Sequence, residues 1–179
     1  MAESFSNSLK RAAGIMTSSA SCSVGITTNL ITGISTVGVA VSDFIDNTHY
    51  IAGTKVASIG VSSAICDRDS TNTAAASSQS VKFLGVTTSY TSTAGEKAIL
   101  IGGTFANNTG NSVNLTVSTY DASAGVEAQI ASKIPVPYGS SFVIADTGKT
   151  LLEGLDEVRV YCDTANAIDV NLSILKGVS

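Results

Sequence analysis

The chain has no tryptophan, two prolines, three cysteines and one histidine among its 179 residues, and each scarcity removes a class of explanation. A single histidine, His49 in the polar stretch DNTHYIAG, leaves little for metal ligation or acid–base chemistry and reads as a surface or hydrogen-bonded group. Serine is abundant, but no G-x-S-x-G elbow presents one as a nucleophile. Cys22, Cys66 and Cys162 are odd in number and lack C-x-x-C spacing. That argues against a disulfide framework and a zinc site, and for three small buried thiols. Neither G-x-x-x-x-G-K-[ST] nor G-x-G-x-x-G occurs, so no phosphate loop is expected. The expectation is a protein that is not an enzyme and takes no cofactor and no metal.

Charge is scarce as well. Charged residues make up 13% of the chain, about half the share of an ordinary soluble domain. The net charge is −4, and the ten basic residues are scattered, which speaks against a nucleic-acid partner. No apolar run approaches the roughly 20 residues of a membrane-spanning helix, so no membrane partner is expected. MAESFSNSLKRAAGIMTSSAS carries Glu3 early and Lys10-Arg11 late, unlike a signal peptide, which implies synthesis in the cytoplasm. Charge is also unevenly placed. Ala12–Ser42 and Ala98–Tyr120 contain none, and Ser70–Gly95 contains only Lys82. Exposed strands usually carry charge because bare edges pair with other chains, so uncharged strand-rich stretches imply surfaces covered by neighbours.

What is plentiful is valine, threonine, serine and glycine in alternating runs broken by turns. The period-two pattern predicts an all-β protein. Residues 1–17 read as an N-terminal arm, with a short helix over 1–16 suggested by Phe5, Leu9, Ala12, Ala13 and Met16. Phe5, Leu9, Lys10, Arg11 and Met16 are its candidate interface residues. Residues 18–69 read as a small β unit of about five strands, and the polar 70–80 as a linker. Residues 81–179 read as an antiparallel sandwich or jelly roll of about seven strands, among them SVNLTVSTY, with Val113, Leu115, Val117 and Thr119 on one face. Thr147-Gly148 marks one of its turns, and Pro135 and Pro137 place KIPVPYG at a strand end or sheet edge. Asp67 and Asp69 around Arg68 read as a local ion pair or a turn cap; Glu153, Asp156 and Glu157 read as a solvated turn.

Two passages resemble phage proteins. Ile51-Ala52-Gly53-Thr54-Lys55-Val56, followed by Ser58-Ile59, is similar to a small β element of phage tail and surface proteins, although Ser42-Asp43 stands where Gly-Asp is commoner. Ile99–Asp121, Lys133–Ile144 and Leu151–Cys162, with MAESFSNSLKRAAGI at the start, resemble the β-sandwich of virion structural proteins from marine tailed phages, including those of cyanobacteria. The resemblance covers most of the chain and implies a virion location. It also implies partners that are copies of itself and other virion proteins, and no catalytic residues. Capsid decoration is the leading role implied; a neck or tail adaptor, fibre attachment, or a host-surface glycan-binding module are alternatives. The exposed aromatics such a module needs would come from Tyr50, Tyr90, Tyr120, Tyr138 and Tyr161.

Overall fold

Fifteen strands, β1 to β15, and no helix occur among the residues described by the computed structural model, which are 3–144 and 149–178. All pairings between named strands are antiparallel. The chain forms two units. One is residues 15–86, and the other joins residues 1–14 to 87–179. The expected Thr147-Gly148 turn lies outside the described residues.

The discontinuous unit is a sandwich of two sheets. β1 (Ser4–Ala13), β15 (Ile168–Val178) and β9 (Lys97–Asn107) form one, with β12 (Ser141–Ile144) and β13 (Thr150–Leu152) sharing the far side of β9. The other has the order β11 (Val126–Val136), β10 (Val113–Asp121), β14 (Glu157–Cys162), β8 (Thr87–Thr91). Treating β12 and β13 as one position gives eight strands paired first with last, second with seventh, third with sixth and fourth with fifth. That is the winding of a jelly roll, a long hairpin rolled into two sheets. Alternation drives it. Leu100, Phe105, Leu115, Val117, Val158, Val160, Leu172 and Ile174 point between the sheets and are at most 2% exposed. Each such burial is worth about 1.5–3 kcal/mol.

The continuous unit occupies the connection between β1 and β8. Its strands are β2 (Ile15–Val24), β3 (Leu30–Thr32), β4 (Phe44–Asp46), β5 (Val56–Ile59), β6 (Ser63–Cys66) and β7 (Ala76–Gly85), in the order β4-β7-β2-β3-β6-β5. The two outer members meet through a bridge between Phe44 and Lys55. Ile45 N–H donates to Thr54 O (2.8 Å) and Val56 N–H to Asp43 O (2.9 Å). The sheet therefore closes into a small barrel, which removes its edges. Cys22, Val24, Ile31, Ile45, Val56, Val81 and Phe83 fill it.

Three expectations are corrected. Residues 1–16 are not a helix but β1 and the start of β2. Phe5 and Leu9, four apart, satisfy both the helical and the strand period, and the backbone partners on β15 decide. The arm 1–17 is thus part of both units. Residues 70–80 are not a linker. Ser70 Oγ donates to Gly25 O (2.8 Å), and from Ala76 the chain is β7, paired with β2 and β4. The boundaries at 18–69 and 81–179 accordingly give way to 15–86 and to a sandwich that begins with β1. The edge placement of Pro135 agrees with β11, an outer strand of its sheet.

Where the chain leaves the sandwich, Gly14 adopts φ +117. Its N–H donates to Thr87 Oγ1 (3.2 Å) and its carbonyl accepts from Asn166 N–H (2.9 Å). A Cβ there would lie 2.6 Å from the Thr164 carbonyl oxygen. Glycine is required by both conformation and space.

Candidate assembly surface

β1 carries most of the residues expected at an interface. Its register with β15 is regular from Ser4↔Lys176 to Lys10↔Val170, then shifts at a bulge before Ala13, where Ala12 has φ 54. Within that run Phe5, Asn7 and Leu9 share the outer face, because their partners Leu175, Ser173 and Asn171 alternate with the core residues Ile174, Leu172 and Val170. Phe5 is 80% and Leu9 70% exposed. From Ser4 to Ala12 the strand contributes no side chain to the core, so hydrogen bonds hold it, among them Ser8 Oγ to Ser89 O (2.7 Å) and Ala12 N–H to Asp169 Oδ1 (2.8 Å). Lys10 lies on the alternate side of the strand. Leu9, Lys10 and Arg11 nevertheless all border a groove of about 310 Å³, with Thr104, Asp169 and Asn171. Met16 falls in the barrel unit, on β2 opposite Leu84.

The apolar character continues across this sheet. Ile99 and Ile101 on β9 are half-buried on its outer face, and Val143 on β12 and Leu151 on β13 are about half exposed. The charge-free run from Ala98 to Tyr120 covers β9 beyond Lys97 and, in the opposite sheet, β10 up to Asp121.

The opposite sheet carries a polar network that sequence reasoning missed. On its outer face, the Glu127 side chain is only 2% exposed and accepts from Tyr161 Oη (2.8 Å) and from Ser118 Oγ. Arg159 bridges Glu157 (2.6 Å) and Glu127 (3.5 Å) and stacks on the Tyr120 ring at 3.7 Å. Burial pushes the Tyr161 phenol well above its ordinary pKa, and the Glu127 carboxylate adds to the rise. The signal lay in EVRVYC, whose alternate Glu157, Arg159 and Tyr161 oppose Val158 and Val160. Two carboxylates clamped on one guanidinium are a strand-to-strand tie rather than an acid–base pair.

His49 Nε2 meets Gln79 Oε1 at 3.1 Å, and the His49 N–H donates to Asn47 Oδ1. Asp67 accepts from Lys55 N–H, a backbone cap, and Arg68 donates to Ala52 O, so these residues stitch loops together. Asp156 is buried, not solvated: its carboxylate accepts from Glu153 N–H and Ala122 N–H. No group of three His, Cys, Asp or Glu able to hold a metal ion occurs among the described residues. All three cysteines are buried, and Cys22, Cys66 and Cys162 form no disulfide. Cys66 is pushed up to about 11 by burial, partly offset by its hydrogen bond with Tyr50. Of the five tyrosines, Tyr138 is 71% exposed, whereas Tyr50, Tyr90 and Tyr161 are buried.

No family model matches the chain, and no curated protein matches it. Among solved structures, the isomalto-dextranase of Arthrobacter globiformis T6 complexed with panose is similar at 15% identity with a TM-score of 0.23. The match covers 90% of this chain and 34% of that enzyme, so the chain spans about a third of its length. A TM-score this low carries no argument about fold or activity.

Proposed function

We propose that this chain is a virion structural protein of a tailed phage, working through protein–protein contacts as a capsid decoration subunit. The observation that carries the reading is the outer face of the β1-containing sheet, where Phe5 and Leu9 stand exposed on an edge strand whose residues from Ser4 to Ala12 add nothing to its own core. An isolated monomer gains nothing from such side chains; an assembled subunit uses them. The jelly roll supports the same reading, since that winding recurs in viral capsid domains. So does the resemblance of Ile99–Asp121 and Leu151–Cys162 to phage virion proteins.

Incubating the purified chain with particles that lack it tests the assignment. Stoichiometric binding to shells is expected. Binding confined to tails or portals would move the role to the neck or tail, and binding to neither would reject a virion role. Deleting residues 2–16, which would suit a detachable arm, is unsuitable here because it removes the first strand of the jelly roll.

A further inference from the structure

We propose that two copies of this chain join edge to edge through antiparallel β1 strands, about a two-fold axis at Asn7. The inference goes beyond the particle assignment and does not depend on it. Among the described residues, β1 lies at the end of its sheet and pairs with β15 alone. It is ten residues long and carries only Lys10 and Arg11 as charges, both at its far end. A long, exposed edge with unpaired backbone groups is a template for another strand.

The occupant is read from the order of side chains. Alternate residues Glu3, Phe5, Asn7, Leu9 and Arg11 run acidic, apolar, polar, apolar, basic. Inverting the strand about Asn7 sets Phe5 opposite Leu9 of the second copy and Glu3 opposite Arg11. On the alternate face it sets Ser6 opposite Ser8 and Ser4 opposite Lys10. No like charges meet, and each apolar side chain meets another, which is the arrangement that stabilises cross-strand pairs. Moving the axis one residue either way sets Glu3 against Leu9 or Phe5 against Arg11. The regular part of β1, Ser4–Lys10, is itself centred on Asn7, and the bulge before Ala13 ends the straight run. A two-fold contact must be self-complementary, and this strand is.

The test is light scattering and sedimentation of the full chain over a concentration series at low salt, without particles. Wild type should move from a mass of 18.1 kDa toward twice that value. Glu3→Arg and Arg11→Glu, each placing like charges opposite, should weaken the dimer about tenfold, and Leu9→Asp should abolish it. The double variant Glu3→Arg/Arg11→Glu should restore it. Circular dichroism serves to confirm that each variant is folded. A wild type that stays at one-chain mass throughout overturns the proposal, even if it binds particles through β1, because the partner is then a different protein. A dimer indifferent to the single swaps, or one the double swap fails to restore, overturns it as well.

Discussion

Replacing Glu127 by Ala tests whether the polar network on the outer sheet face holds strands together or merely decorates them. In the native chain the buried carboxylate accepts from Tyr161, which is 1% exposed, and from Ser118, which is 0% exposed, and it lies near Arg159. Removing it deprives two buried hydroxyls of their charged acceptor, at about 1–3 kcal/mol each. Arg159 keeps Glu157 at 2.6 Å, so its loss is small. Relief of the carboxylate's own desolvation offsets part of the cost. The net expectation is about 3–4 kcal/mol off the stability of the sandwich. Tyr161→Phe alone should cost about 1.5–3 kcal/mol, the range for a hydrogen bond to a charged group. Because the two share one bond, the double variant should fall short of the sum by about 1–2 kcal/mol. Urea unfolding followed by circular dichroism measures all four species. The barrel has its own core and supplies a second transition that should not move. Strict additivity, or a Glu127→Ala variant within 0.5 kcal/mol (roughly the scatter of surface changes), would refute the network as a structural tie.

Two further predictions concern conformation and pH. Gly14→Ala should destabilise the sandwich by at least about 1–3 kcal/mol, since φ +117 and a 2.6 Å approach to Thr164 O penalise any Cβ; a calorimetric midpoint unchanged from wild type would contradict this. Burial raises the phenols of Tyr50, Tyr90 and Tyr161 above their ordinary pKa, and burial also raises Cys66. Groups whose folded pKa is raised stabilise the fold fully below the unfolded value and lose that contribution as pH climbs past it. Stability should therefore decline from about pH 9–10 upward. Ionisation of Tyr50, Tyr90 and Tyr161, followed by tyrosinate absorbance, should be delayed until unfolding; their ionisation in a reversible step near pH 10 with the fold intact would count against it.

The all-β class was legible because Val113, Leu115 and Val117 alternate with polar residues, and the core uses that alternation. The boundaries were not legible, because one continuous strand signal, VKFLGVTTSY, is divided at Val86 between β7 in the barrel and β8 in the sandwich. Periodicity reports burial, not which core a strand enters. β1 was misread because two apolar residues four apart fit helix and strand alike, and its partner β15 lies at the other end of the sequence. Phe5 and Leu9 were picked out by that apolar spacing, and the structure places both exposed on β1. Lys10 belongs to the other side of the strand and Met16 to the other unit. Glu127 was missed because its partners on β10 and β14 become neighbours only once register is set.

The pairing of β1 with β15 also sets a timetable for synthesis. About 150 residues separate the two strands, so at about 5–20 residues per second a ribosome takes roughly 8–30 s between them. The barrel is complete in sequence by Gly85, well before β15 exists, and can fold while β1 still lacks its partner strand. The jelly roll, by contrast, can close only when its eighth strand emerges. A ribosome that stalled between the two would release a chain with a finished barrel and an open sandwich, its Phe5 and Leu9 on a strand with nothing to pair with but another unfinished copy.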